Sequence, residues 1–281
     1  MPTCHPPLNR RQAKPRARWQ QRRRGLTLPE LLAASAIMTL IAGALGTLAL
    51  AVQGASGYCR GQATAAQHGR VVIQRIEQAI YAAHASEQFP GCVVFSDVVG
   101  GFDFPETCVV WRPEGVAADP AGRPRVRELV LFCPDSQNPH QLLELRLATN
   151  NTTAPLLTST SAWTSLLNNI KANATSRIVL TDRLRAAATT TNGSPMPLAN
   201  QRGAVRFNVL MAPSESQWAQ YKAGTRDWDE LHWPLDAYGS QFGQRSIACQ
   251  IELQLLTGAD DVASAPLPFF GSAALTTELK R

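Results

Sequence analysis

The sequence predicts an α+β protein in which a long N-terminal helix, membrane-spanning in its first half, packs on an antiparallel β-sheet domain. Residues 26–52 contain a single ionisable side chain, residues 71–80 repeat apolar side chains at helical spacing, and short alternating runs follow residue 91. About 20 apolar residues span a bilayer as a helix, and period-two alternation marks strands with one buried and one wet face. Residues 1–25 therefore form a leader, 26–52 and 53–88 the two helix halves, and 89–281 a β-rich domain.

The leader, residues 1–25, is basic and contains no acidic side chain. It holds 8 of the 27 Lys and Arg residues, so residues 26–281 carry 19 basic and 21 acidic side chains and a formal charge of −2, against +6 for the whole chain. A basic segment beside an apolar helix is typical of the positive-inside rule, which keeps the leader in the cytoplasm and sends the C-terminal part across the membrane. Because the excess positive charge is confined to this tail, we expect no direct binding of nucleic acid.

The junction between leader and helix carries an ordered motif. After three arginines the chain continues with Gly25, Leu26, Thr27, Leu28, Pro29 and Glu30. Proline is tolerated in the first turn of a helix, where its missing N–H would have no partner. A lone carboxylate at the start of a membrane helix is costly in hydrocarbon and marks a functional position.

This motif resembles the N-terminus of type IV pilin-like proteins, a family that includes the pilins and the type II secretion pseudopilins. The resemblance extends to about residue 84 and implies that a prepilin peptidase cuts between Gly25 and Leu26 and methylates the new N-terminus. It also implies that Glu30 acts in assembly with other pilin or pseudopilin subunits, with residues 27–29 completing the signature. Leu26 stands where Phe is usual, and the leader is long.

The same resemblance implies a single-pass protein in lipid of the inner membrane, with its domain on the periplasmic or extracytoplasmic side or in a fibre. Its large β-rich part is similar to the bigger minor pilins and pseudopilins. The sequence leaves open whether the system is a pilus, a secretion machine or a DNA-uptake apparatus.

A physical role for Glu30 can be stated from the residues. Removal of the leader gives Leu26 a free α-amino group, and an acid and an amine attract strongly in a low dielectric. The amine of one subunit would then neutralise Glu30 of its neighbour and favour one axial register. The alternative is an interfacial Glu30 whose carboxylate reaches water.

Two other roles for the N-terminus remain open. It could be a cleaved secretory signal with Ala49, Leu50 and Ala51 as the cleavage site, although the apolar run is longer than a typical signal core. It could also be only a signal or anchor, in residues 1–52, for an exported binding protein or enzyme.

Beyond the membrane segment, the sequence predicts a softened stretch at residues 54–61 and then an amphipathic helix. Val72, Ile73, Ile76 and Ile80 form its apolar face. Phe89, Pro90 and Gly91 end it. The predicted strands are residues 92–99, 107–112, 126–133, 141–148, 204–211 and 245–256, and residues 161–173 are predicted to form a short helix.

Two of these strands alternate clearly. Leu143, Leu145 and Leu147 are expected on a buried face, with Glu144 and Arg146 on a wet one. In residues 245–256 the predicted buried side chains are Ile247, Cys249, Ile251, Leu253 and Leu255.

The sequence offers no catalytic, cofactor-binding or metal-binding motif, so we expect neither an enzyme nor a cofactor. Outside the leader the cysteines are Cys59, Cys92, Cys108, Cys133 and Cys249, with no C-x-x-C pair. Two states of the last four cysteines remain possible from the sequence: all are buried free thiols, or two of them form one disulfide. Residues 226–233 combine three acidic residues with two tryptophans. The best interpretation is a solvated loop anchored by the tryptophans, with calcium binding or a partner surface as alternatives.

Overall fold

The computed structural model describes residues 26–99, 102–187, 201–258 and 266–281. The leader, including Gly25, lies outside the described residues. The chain divides into two compact units, Met1–Ala55 and Ser56–Arg281. The predicted α+β class is confirmed, because a long N-terminal helix packs against antiparallel sheets.

The N-terminal helix, α1, runs from Leu28 to Tyr81 without interruption. It is helical through residues 54–61, where the sequence predicted a softened stretch. It ends at Tyr81, before the predicted limit of residue 88. Beyond it the backbone N–H of His84 donates to the carbonyl of Trp111 over 2.9 Å, a bond to the sheet in place of a helical one, and Gly91 turns the chain with φ of 82°.

The remaining elements lie in the unit Ser56–Arg281. The strands are β1 (Cys92–Val99), β2 (Phe102–Trp111), β3 (Leu129–Pro134), β4 (Leu142–Arg146), β5 (Ser176–Thr181), β6 (Ala186–Ala187), β7 (Arg202–Gly203), β8 (Val205–Ala212), β9 (Phe242–Leu255) and β10 (Leu267–Lys280). The helices are α2 (Thr160–Asn173) and α3 (Glu215–Lys222). All pairings are antiparallel, in sheets ordered β1-β2-β3-β4-β5, β10-β9-β8 and β6-β7.

The central strands β3 and β4 of the five-stranded sheet are buried on both faces, which corrects the expectation of one wet face, whereas the edge strand β5 is largely exposed. One face joins α1 in a core that contains Ile76, Phe132 and Leu142. The other joins α2 through Trp163 and its neighbours. Leu143, Leu145 and Leu147 share that second face as predicted, but Glu144 is also buried, at 2 % exposed.

The three-stranded sheet packs against the second half of α1 at close range. A Cβ on Gly69 would lie 2.6 Å from the ring of Phe269, and one on Gly271 would lie 2.3 Å from Ile73. The backbone N–H of Ser272 on edge strand β10 donates to Glu77 over 3.1 Å. This bond satisfies one backbone donor on the edge of the sheet.

One predicted strand begins later than expected. Residues 126–133 were predicted as a single strand, but Val126–Glu128 forms a 3-10 turn and β3 starts at Leu129. The Glu128 carboxylate accepts hydrogen bonds from the indole N–H of Trp111 and the backbone N–H groups of Ala118 and Arg125. These three bonds hold the turn before the strand begins.

Candidate functional site

The first half of α1 presents an apolar surface that nothing in the described chain covers. Every residue from 26 to 60 is exposed, including Leu40 at 74 % and Leu50 at 70 %. Helix α1 is long and apolar enough to cross a membrane, with an 18-residue window of mean hydropathy 2.0 that is 0 % buried. Exposed leucines on all sides distinguish this segment from a helix with one buried stripe.

Polar side chains within the same segment are satisfied by the helix itself. The hydroxyl groups of Ser35, Thr39 and Thr47 each donate to the carbonyl three residues earlier, over 2.8–2.9 Å. Groups in hydrocarbon have no water to bond, so their polar atoms must find partners within the protein. These hydroxyls therefore add no unsatisfied donor to the apolar surface.

The N-terminus of α1 is closed by Thr27 and Glu30. The Glu30 Oε2 atom accepts from both the backbone N–H and the hydroxyl of Thr27, each over 2.9 Å. A Thr followed three residues later by Glu is the spacing of a capping box, in which the acid satisfies a free N–H. Both bonds use the same carboxylate oxygen, so the other remains available to an external donor.

The structure joins two of the predicted signature residues by hydrogen bonds. Leu26, Thr27, Leu28, Pro29 and Glu30 are all exposed at the start of α1. Only Thr27 and Glu30 contact each other through hydrogen bonds. The sequence did not anticipate this cap, although the Thr-x-x-Glu spacing was available to predict it.

The second half of α1 is fixed to the β-sheet domain by charge as well as by apolar packing. Arg75 donates through Nε and Nη2 to the two carboxylate oxygens of Glu144, over 2.8 and 3.0 Å. Glu144 is buried, and a buried carboxylate needs such a partner to remain charged. This bidentate pair joins α1 to β4, and Ile76 packs beside it in the same core.

A second group of charged side chains surrounds Glu106 on β2. Its Oε1 accepts from Arg202 over 3.0 Å, while Arg202 and Lys171 both approach Asp97, over 3.8 and 3.4 Å. Burial raises the pKa of Glu106 to about 7, and Arg202 opposes that rise. The Glu106 carboxyl therefore titrates near neutral pH.

Residues 226–233 are anchored by aromatic side chains as interpreted. Trp228 and Trp233 are buried with Trp218 in a small separate core, while Asp227, Asp229 and Glu230 are exposed. Among the described residues, one group of three or more His, Cys, Asp or Glu side chains is close enough to hold a metal ion. It consists of cysteines and includes none of these three carboxylates. The three carboxylates therefore do not converge on a calcium site.

The group of side chains close enough to hold a metal ion consists of Cys92, Cys108 and Cys249, which are all buried. Cys133 is buried in the other core cluster and Cys59 is exposed on α1. The sequence placed Cys92, Cys108 and Cys249 on strands but had no signal to bring them together, because Cys249 is far from the other two along the chain. No family model, curated protein or solved structure matches this chain.

Proposed function

We propose that this chain is a non-enzymatic assembly subunit, a minor pilin or pseudopilin of a type IV pilus-like or type II secretion fibre. In this proposal a prepilin peptidase removes residues 1–25, and the first half of α1 holds the protein in the inner membrane with its domain outside the cytoplasm. The observation that carries the proposal is a continuous helix whose first half is apolar on all sides and starts with one carboxylate.

The uncovered apolar surface of residues 26–52 needs an apolar environment. Burying apolar area contributes about 25 cal/mol per Å², so a helix with leucines exposed on every side is strongly disfavoured in water. Lipid can supply that environment before assembly, and neighbouring helices can supply it in a fibre. The second half needs no such environment, because the sheets already bury its apolar face.

Glu30 supplies the register. Its capping bonds to Thr27 come from its own chain and satisfy Oε2, while Oε1 is free to accept from a neighbour. Cleavage after Gly25 would create a positively charged amine on Leu26, one residue before the cap. Pairing of that amine with Glu30 of the next subunit would remove two charges from hydrocarbon, and it would occur at one axial offset between helices.

The test is a Glu30→Ala variant expressed in the native host in place of the wild-type chain. We expect normal cleavage but loss of co-purification with the other pilin-like subunits after cross-linking in the membrane. Thr27→Ala is the matched control, because it removes the hydroxyl of the cap and keeps the carboxylate, so it should co-purify. Normal co-purification of Glu30→Ala would contradict the assembly role.

A replacement of residues 1–52 by an unrelated membrane anchor separates assembly from simple anchoring. An assembly subunit should lose its function, because the register-setting carboxylate and helix surface are gone. A binding protein or enzyme that needs only an anchor should keep its function.

Gly25→Asp should block cleavage, and unchanged processing would contradict the peptidase assignment.

A further inference from the structure

Three cysteines from three different strands meet in the interior of the unit Ser56–Arg281. Cys92 lies on β1, Cys108 on β2 and Cys249 on β9, and their sulfur atoms all lie within 4.8 Å of one another. The Sγ atoms of Cys92 and Cys108 are 3.5 Å apart, and all three side chains are 0 % exposed. Since β1 and β2 belong to the five-stranded sheet and β9 to the three-stranded sheet, the cluster bridges the two sheets.

The surroundings of the three cysteines indicate whether they bind a metal ion or form a disulfide. The three cysteines belong to the same apolar core cluster as Val110, Phe207 and Ile251. Soft metal ions bind thiolates, and three thiolates around a monovalent or divalent cation leave a net negative charge. Burying that charge without a cationic partner is costly. A disulfide carries no charge and suits the same apolar surroundings.

The strand register disfavours a disulfide between Cys92 and Cys108, although their sulfur atoms approach each other closely. In the β1–β2 ladder Cys92 faces Val110 and Cys108 faces Val94, so the two cysteines are diagonal neighbours. Diagonal residues in an antiparallel pair are separated by about 7–8 Å, and a disulfide needs Cα atoms closer than about 7 Å. A bond between these two would distort the ladder, whereas bonds to Cys249 cross between sheets.

We propose that Cys249 forms a disulfide with Cys92 or Cys108 that ties the two sheets together and leaves the third cysteine as a thiol. The proposal rests on the proposed function, because it requires the domain to lie outside the cytoplasm, where disulfides form and persist. It makes this cluster a site of oxidative maturation in the interior of the domain.

The reaction is thiol–disulfide exchange with an oxidoreductase that carries a reactive disulfide. The Cys249 thiolate attacks that disulfide, forms a mixed disulfide and releases one sulfur of the oxidant as a thiolate. The thiolate of Cys108 or Cys92 then attacks the Cys249 sulfur and releases the second. The domain loses two protons and two electrons, and the oxidant's disulfide becomes a dithiol.

Access to the oxidant sets the order of events. All three cysteines are 0 % exposed in the folded domain, so an oxidoreductase reaches Cys249 before the two sheets close. Closure of the sheets then brings Cys92 and Cys108 to within 4.8 Å of the Cys249 sulfur, where the thiolate of one of them resolves the mixed disulfide.

Cys133 provides a matched control within the same unit. It is buried in the opposite core cluster, and burial raises its pKa to about 12. Like Cys249, it is a buried strand cysteine whose replacement by alanine removes packing. Only the replacement of Cys249 also removes the proposed bond.

The test is to alkylate the full chain, purified from its native membrane, under denaturing conditions without reductant, and to analyse its proteolytic peptides by mass spectrometry. We expect a peptide pair joined through Cys249 to Cys92 or Cys108, with the third cysteine alkylated. Three alkylated cysteines, a bond between Cys92 and Cys108, or a metal ion retained by the cluster in native mass spectrometry would each overturn the proposal.

A second measurement tests the effect on stability. A reductant should lower the Tm of the wild type and of Cys133→Ala by roughly 5–10 °C, and should leave Cys249→Ala unchanged. An equal loss in Cys249→Ala would contradict the tether. The N-terminal residue of the same preparation reports on the proposed function separately, because a start at Leu26 together with three free thiols rejects the disulfide alone.

Discussion

The two halves of helix α1 share one continuous backbone but differ in what their side chains contact. From residue 26 to 60 every residue is exposed. In the second half the buried residues are Ala65, Gly69, Val72, Ile73, Ile76, Ala79 and Ile80. Because one helix contains both patterns, helix formation alone does not explain either. The second half obtains its apolar partner from the sheets, and the first half has none among the residues that the structure describes.

The largest expected difference between the halves concerns membrane insertion. Leu40→Asp places a carboxylate within the apolar segment, which should disfavour insertion by about 3–4 kcal/mol. The fraction of protein that resists alkaline extraction from membranes should fall sharply. Val71→Asp is the control, since Val71 is 56 % exposed on the second half and should not change extraction. Full retention of Leu40→Asp in the membrane would contradict the difference.

Truncation of a leucine or isoleucine should show the reverse difference. Ile76 is 0 % exposed whereas Leu40 is 74 % exposed. Ile76→Ala should lower the free energy of unfolding of the domain by about 2–5 kcal/mol, because it removes buried methylenes and leaves a cavity. Leu40→Ala should change it by less than about 0.5 kcal/mol. Denaturant unfolding of the full chain in detergent measures both, and equal effects would refute the distinction.

Two glycines sharpen the comparison at smaller scale. A Cβ on Gly69 would meet the ring of Phe269, whereas a Cβ on Gly46 would meet nothing within 4 Å. Gly69→Ala should destabilise the domain by about 1–3 kcal/mol through overpacking. Gly46→Ala should be neutral or slightly favourable, since alanine is the better helix former. Thermal unfolding followed by circular dichroism distinguishes them, and a neutral Gly69→Ala would show that the helix–sheet contact is loose.

The smallest expected effect is on the pH dependence of the free energy of unfolding, through the buried carboxyl of Glu106. The folded-state pKa of Glu106 is raised to about 7 from its ordinary value of 4.5 by burial. The folded state therefore holds a proton that the unfolded state releases, so stability falls as pH rises from 4.5 to 7. Glu106→Gln should reduce that fall by about 1–2 kcal/mol, because an amide does not titrate, and its oxygen can still accept from Arg202.

The control for this measurement is Glu114→Gln, because the Glu114 side chain is 87 % exposed and its loss should not change the pH profile. Unfolding in urea at pH 5 and pH 8 gives the two slopes. Identical profiles for wild type and Glu106→Gln would show that the buried carboxylate does not titrate in this range.

The sequence predicted the elements whose apolar side chains have one regular period. The buried faces of the second half of α1 and of β9 were predicted, because each packs one stripe or face against a core, and α2 was predicted as a helix. The strand β10 was not, since its inward residues include Gly271 and Ala273. Small residues are required there by the close approach of α1, and they give a weak strand signal.

Contacts between residues that are distant in the sequence explain the other differences between the prediction and the structure. Glu144 was expected in water because a charged residue alternates with leucines on β4. Its burial depends on Arg75, which lies on a different element and is far away in the sequence. The meeting of Cys249 with Cys92 and Cys108 depends likewise on how two sheets pack. A single sequence gives period and composition but not which distant residues become neighbours.

The most direct test of the account is the N-terminal residue and intact mass of the protein extracted from its native membrane. The account predicts a start at Leu26 with one added methyl group, which would leave Glu30 in the first turn of a membrane helix that begins at the cleaved end. A chain that starts near residue 52 would contradict it, because cleavage there would remove the exposed apolar half of α1 and Glu30 with it.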